Sequence, residues 1–154
     1  MGNASLINSN TSFNTAIGAF SLANSTTGYD NTATGFYALY SNTVGGGNTA
    51  NGILALSLNE TGNGNTAIGA FSLANNFAGH FNSAFGNNAL ASNTNGYSNT
   101  GIGDSALYFN TFGDNNTAIG FRALANNAGG RFNNALGALA LVNNTSGNSN
   151  TAVG

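Results

Sequence analysis

The chain is organised around a short element, Asn-Thr-Ala-Ile-Gly, that returns at a constant interval. Asn14-Thr15-Ala16-Ile17-Gly18 is its first complete copy, and each later copy opens with Asn seventeen positions further on, at Asn31, Asn48 and so on, and closes with Gly. An internal period of this kind constrains the fold more than any local signal, because each unit must bury its apolar side chains against its neighbours. The sequence therefore predicts one array of stacked coils, and we number the positions of each unit from its Asn.

The array extends over the whole sequence, residues 1–154, without a linker or a domain boundary. Residues 1–13 form a partial unit, and residues 150–154 form a last element whose unit does not continue. The complete units start at residues 14, 31, 48, 65, 82, 99, 116 and 133. No polar capping unit closes either end, although solenoids usually carry one. We therefore expect a window of a longer array or a unit that stacks end to end with its copies.

Positions 2 to 5 of each unit predict a short β-strand, since Thr and Ile precede a Gly. Side chains alternate between the two faces of a strand, yet positions 3 and 4 are both apolar. This pattern is typical of a strand that is covered on both faces. We expect the Ala column at position 3 to fill the core and the position-4 column to pack against another part of the fold or another chain. The candidate interface is Ile17, Ile68, Phe85, Ile102, Ile119, Leu136 and Val153.

Positions 5, 8, 9 and 12 vary least in the next segment: they are Gly, then Ala or Ser, then Leu, and then Asn in every complete unit but the first. Their offsets of 3, 4 and 7 match one face of a helix, so positions 6 to 12 predict one or two helical turns, with a bulged second strand as the alternative. Position 9 is always Leu, and these side chains are the predicted core Leu column: Leu22, Leu39, Leu56, Leu73, Leu90, Leu107, Leu124 and Leu141.

Asn at position 12 and Gly at position 15 predict the turn that returns the chain to the next strand, with Gly supplying a positive φ. The predicted fold is a parallel β-solenoid, or β-roll, in which identical residues lie above one another. Stacked Asn side chains can hydrogen-bond amide to amide. The predicted structural Asn ladder at position 1 is Asn14, Asn31, Asn48, Asn65, Asn82, Asn99, Asn116, Asn133 and Asn150.

The N-T-A-I-G element resembles the head repeats of trimeric autotransporter adhesins, which wind a parallel β-roll and pack as three rolls around one axis. The longer pattern N-T-A-I-G-x-x-A-L is similar to repeats of bacterial surface proteins and phage tail-fibre shafts. The resemblance covers nearly the whole chain, but the unit here is longer than the adhesin repeat, with an added A-L segment. It implies a fibrous, adhesive or spacer role outside the cell, on the cell surface or on a virion fibre, and it carries no catalytic residues.

Composition argues against several classes of function. Charged residues make up 4% of the chain and the net charge is −2, so neither nucleic acid nor an anionic membrane surface is an expected partner. The chain has no Cys, and His80 is its only His. The four acidic residues occupy four different columns, which argues against a paired-carboxylate site. We expect no enzymatic activity, no metal and no cofactor.

The favoured hypothesis is a structural or adhesive extracellular fibre whose chains associate with one another, as a homotrimer or as a filament. The alternative is an ice- or surface-binding solenoid that uses the hydroxyl column at position 2, although position 4 places an apolar column on the same face. Aromatic residues at the variable positions 6, 7 and 17 predict lateral or trimer packing, with contact with a glycan or host surface, or no role, as the alternatives. These aromatic residues are Phe20, Phe36, Tyr37, Phe71, Phe81, Phe121 and Phe132.

Overall fold

The computed structural model describes residues 5–6 and 12–154, so most of the partial unit predicted over residues 1–13 lies outside the described residues. The described chain is a parallel β-solenoid with one strand per coil, and its nine strands form a single sheet in sequence order. The strands are β1 Thr15–Ile17, β2 Thr32–Thr34, β3 Thr49–Asn51, β4 Thr66–Ile68, β5 Ser83–Phe85, β6 Thr100–Ile102, β7 Thr117–Ile119, β8 Asn134–Leu136 and β9 Thr151–Val153.

The register of the sheet stacks equivalent residues with no slip. Ala67, for example, pairs with Ala50 on one side and Ala84 on the other. The Ala side chains from β2 to β5 are fully buried, whereas position 4 faces outward on every strand. The structure therefore confirms the prediction that position 3 faces the core and position 4 faces the opposite side of the strand. The core itself is thin, and consists mainly of Ala, Ser, Leu and Asn side chains.

The prediction of helical turns at positions 6 to 12 is wrong, because no residue among 5–6 and 12–154 is helical. The segment is instead a chain of β-turns. In the coil that starts at Asn48, the Asn59 N–H donates to the Leu56 carbonyl and the Ser57 N–H donates to the Leu54 carbonyl. Both bonds join residues three apart in sequence. Turns of this size return side chains to one face at offsets of 3, 4 and 7, which is why the pattern imitates a helix.

Residues with positive φ prevent a right-handed helix from forming in this segment. Position 9 has φ near 50°, as at Leu56, and position 7 has φ near 57°, as at Leu54. A positive φ at the third residue defines a type II turn, where Gly or Asn is the usual choice. For Leu this conformation costs roughly 1–2 kcal/mol. Complete burial of Leu56 offsets the cost, since it contributes about 1.5–3 kcal/mol.

Hydrogen bonds between coils hold these turns together. The Leu56 N–H donates to the Ser72 carbonyl of the next coil at 3.0 Å, and the Leu54 N–H donates to the Phe36 carbonyl of the preceding coil at 2.9 Å. The segment thus shares the coil-to-coil bonding of the alternative prediction, a bulged second strand. It is not a strand, since its backbone turns every few residues.

Glycine serves two different purposes in each coil, and one of them differs from the prediction. The position-5 glycines do have positive φ, as Gly86 does at +137°. The position-15 glycines do not, so the predicted positive φ at that position is wrong. A Cβ on Gly62 would instead clash with the Asn59 Oδ1 and with the Gly79 carbonyl oxygen of the next coil. Position 15 is Gly because the coils approach too closely for a side chain.

Two buried Asn ladders close the coils and join them. At position 1, the Asn65 Nδ2 donates to the Gly79 carbonyl at 2.8 Å, which closes its own coil, and the Asn65 Oδ1 accepts the Asn82 N–H at 2.9 Å. At position 12, the Asn76 Nδ2 donates to the Asn59 Oδ1 at 2.8 Å. These amides are fully buried, and unpaired they would cost about 1–3 kcal/mol each. The ladders therefore fix the stacking register.

We expect Ser98→Gly to stabilise the coil. Ser98 is an exposed position-17 residue with φ of 56°, and Gly47 and Gly64 occupy the same position with φ of 67° and 65°. Removing the Cβ relieves about 1 kcal/mol of left-handed strain. The matched control is Ser146→Gly, at an exposed residue without positive φ, where added backbone freedom should reduce stability. Denaturant unfolding followed by circular dichroism measures both. A Ser98→Gly protein no more stable than the control would contradict this account of the turn.

No helix that could span a membrane occurs in the described part of the chain.

Candidate functional site

The most regular surface of the protein is the outer face of the sheet, which we call the strand face. It consists of two parallel columns, position 2 and position 4, over all nine strands. All seven predicted interface residues at position 4 are exposed, from 37% for Phe85 to 77% for Val153. A soluble monomer rarely leaves a contiguous apolar surface of this kind in water.

The apolar column is continuous over most of the sheet and interrupted near one end. From Ile68 to Val153 each of six successive strands supplies Ile, Phe, Leu or Val. Strands lie about 4.8 Å apart, so this run extends for roughly 24 Å. Thr34 and Asn51 interrupt the column in β2 and β3. A partner that packs against these apolar side chains would therefore make its closest contact with β4 to β9.

The position-2 column lies beside it and carries free hydroxyl groups. Thr49, Thr66, Ser83, Thr100 and Thr117 are half-buried rather than covered. Their side chains make no hydrogen bond to any other residue in the described ranges. The Thr hydroxyls at position 13 differ, since the Thr94 Oγ1, for example, donates to the Thr111 carbonyl at 2.9 Å. The strand face thus offers unpaired donors next to apolar side chains.

The strand face contains no charged residue. Asp30, Asp104, Arg122 and Arg131 belong to columns 17, 6, 7 and 16, and Glu60 and Asp114 likewise lie outside positions 2 and 4. Burying this face would therefore take none of its own groups out of water in charged form, so the high cost of burying an unpaired charge does not arise on this side of a contact.

The remaining predicted site residues lie inside the coil or in its turns. The Leu column from Leu22 to Leu124 is fully buried, with Leu141 partly buried, and the Asn ladder from Asn31 to Asn133 is buried as well. Within those ranges the side chains do not reach a surface where they could contact a ligand, whereas Asn14 and Asn150 at the two ends of the ladder are half-buried. Their structural roles follow from the hydrogen bonds and packing described above.

Three titratable residues have structural contacts through their side chains. The His80 Nδ1 accepts the Asn63 N–H at 3.0 Å. Asp114 is only 3% exposed; its Oδ1 accepts the Tyr97 N–H at 3.1 Å, and its Oδ2 lies 3.1 Å from the Arg131 Nε. His80, Asp114 and Arg131 all occupy position 16. Asp114 and Arg131 belong to adjacent coils, so the repeat spacing could have predicted that they form an ion pair.

The side chain of Asp104 makes a local contact, in which its Oδ1 accepts a hydrogen bond from the hydroxyl of Ser105, the next residue. Among the described residues, no group of three or more acidic or His side chains is placed to hold a metal ion.

The aromatic residues of positions 6, 7 and 17 point out of the coil. Phe36, Phe71, Phe81, Phe121 and Phe132 are all exposed. At one end Phe20 stacks on Tyr37 with ring centroids 4.9 Å apart, and Tyr37 contacts Tyr40 at 4.6 Å. These residues are spread around the coil, unlike the single continuous column of the strand face.

No family model matches the chain, and neither a curated protein nor a solved structure matches it.

Proposed function

We propose that this protein is a structural subunit of an extracellular fibre or filament, and that its chains associate through the strand face. The observation that carries the proposal is the exposed, uncharged apolar column from Ile68 to Val153. Full burial of an exposed side chain of this kind is worth about 1.5–3 kcal/mol, so covering the 37–77% that remains exposed here contributes roughly 0.5–2 kcal/mol per side chain. A regular column over six strands is suited to a partner with the same repeat, which is another copy of this chain.

The preferred arrangement in this proposal is a parallel homotrimer, with lateral packing into a fibril as the alternative. In a parallel assembly every coil meets a coil of the same kind, so the repeat of about 4.8 Å between stacked strands is matched along the whole contact. The resemblance to adhesin head repeats supports three chains around one axis. The adhesive role and the extracellular location rest on that resemblance alone.

Sedimentation velocity and negative-stain electron microscopy test the proposal together. We expect a molecular mass several times the 15.3 kDa of one chain, together with elongated particles. Compact monomers at all protein concentrations would contradict both the self-association and the fibre.

The free hydroxyls at position 2 favour a second candidate function, the binding of ice or another crystalline surface. The column is half-exposed, so its hydroxyls are available to a flat and regular surface. This function requires an uncovered strand face, whereas the fibre requires a covered one. Freezing-point hysteresis of the purified protein distinguishes them: we expect none, and hysteresis that disappears when Thr100 and Thr117 are both changed to Lys would favour the alternative.

A further inference from the structure

A second surface feature, a groove of about 350 Å³, lies on the turn segment of the central coils. Its lining residues occupy positions 7, 10 and 11, so it shares no residue with the strand face. Its volume is at the small end of the range for sites that hold small molecules. The groove and the strand face are therefore separate surfaces of the coil.

The groove exists because position 10 changes in size along the array. Its floor consists of Ser57, Ala74 and Ala91 from three successive coils. The coils on either side carry Tyr at this position, Tyr40 and Tyr108, and Tyr108 lines the groove at one end. A ligand here would therefore be confined to about three coils, which is roughly 14 Å at the spacing of stacked strands.

The walls combine aromatic and apolar surface with unpaired polar groups. Phe71 and Leu58 are exposed at the sides, and Tyr108 is held edge-on by Phe109 with ring centroids 4.5 Å apart. Neither the Asn75 amide nor the Tyr108 hydroxyl hydrogen-bonds to any other residue that the structure describes. Tyr side chains combine an apolar ring with a polar group that seeks a partner.

We propose that this groove binds a short neutral saccharide. A sugar ring presents an apolar C–H face, which suits Phe71 and Tyr108, and hydroxyls at its edge, which suit the amide of Asn75. No charged residue lines the groove, so an anionic or cationic ligand would find no opposite charge there. This binding is independent of the fibre proposal, because it uses a different surface.

Saturation-transfer difference NMR tests the proposal and works on large assemblies. The probes are maltose, cellobiose, lactose and N,N′-diacetylchitobiose, each at about 10 mM, which would occupy even a site with Kd of ~1 mM. We expect transfer to at least one of them. No transfer to any probe, or a structure of the assembly in which a second copy fills the groove, would overturn the proposal.

Substitutions assign the signal to the groove. Ala74→Tyr fills its floor with a residue that position 10 already accepts in two other coils, and should abolish transfer. The control Ala138→Tyr places the same side chain at exposed position 6, where Phe36 and Phe121 occur naturally, and should not change transfer. Asn75→Ala should weaken binding about fivefold, the effect of losing one neutral hydrogen bond. Transfer that persists unchanged in both Ala74→Tyr and Asn75→Ala would contradict the assignment.

Discussion

Replacing Ile102 and Ile119 together with Asp should dissociate the proposed assembly into folded monomers. These side chains lie on adjacent strands in the middle of the continuous apolar column, and each is 38% exposed in the single chain. In the monomer the new carboxylates therefore remain in contact with water. In the assembly they would be buried without partners at a cost of at least about 3 kcal/mol per charge, which weakens association more than a hundredfold.

Light scattering coupled to size-exclusion chromatography measures this change. The matched control is Thr61→Asp with Asn95→Asp, which adds the same two charges at exposed position-14 residues outside the strand face. The control should retain the mass of the wild-type assembly, and circular dichroism should show that both variants are folded. If the Ile102 and Ile119 variant keeps its oligomeric mass, the strand face is not the interface.

Gly86→Ala should be among the most destabilising single substitutions in the chain. The φ of Gly86 is +137°, which costs an L-residue about 1–3 kcal/mol. In addition, the new Cβ would lie 2.5 Å from the Gly103 carbonyl oxygen and 2.7 Å from the Gly103 carbonyl carbon. Both atoms belong to the backbone of the next coil, so the coils must separate and the bond from the Gly103 N–H to the Phe85 carbonyl must lengthen. We expect a loss of about 3 kcal/mol or more.

Gly129→Ala is the control for this prediction, because a Cβ there has no neighbour within 4 Å and φ is not positive. It should leave the free energy of unfolding unchanged or raise it by about 0.4–1 kcal/mol. Denaturant titrations of both variants, compared with wild type, give the two values. Similar stabilities for Gly86→Ala and Gly129→Ala would contradict the close stacking of the position-5 corners.

The stacking of the coils could be predicted from the sequence because it depends on the period alone. A constant spacing without a slip places Ala on Ala and Asn on Asn, and alternation along the strand separates Ala118 from Ile119. The prediction that the position-4 column faces away from the core needed no further information. Each of these inferences uses either the repeat period or the alternation of side chains along a strand, and both can be recognised in the sequence.

The turn segment could not be predicted because its backbone adopts dihedral angles that its residues do not favour on their own. Leu56 and Leu54 adopt a positive φ that Leu avoids in isolation, and only burial and bonding to both neighbouring coils make it favourable. The role of the position-15 glycine was also predicted wrongly, as a positive φ. It is crowded by the position-12 amide and by the backbone of the next coil, and neither contact can be recognised from the neighbouring residues in the sequence. The groove was missed for a related reason, as it arises from Tyr108 and three small residues that belong to different coils and lie far apart in sequence.

The coverage of the strand face can be measured directly by thiol labelling, since the chain contains no Cys. A single Ile119→Cys reports on the face, and Asn95→Cys reports on an exposed turn. Each is compared with the same Cys in a chain whose assembly is disrupted by Ile68→Asp and Phe85→Asp, on strands that are not adjacent to residue 119, so that the new carboxylates do not slow the thiol by raising its pKa. We predict that the Ile119→Cys thiol reacts at least about ten times more slowly in the intact assembly, a protection of roughly 1.4 kcal/mol, while the Asn95→Cys thiol reacts at the same rate in both. Equal rates for the Ile119→Cys thiol in the two backgrounds would contradict the claim that another copy covers this face.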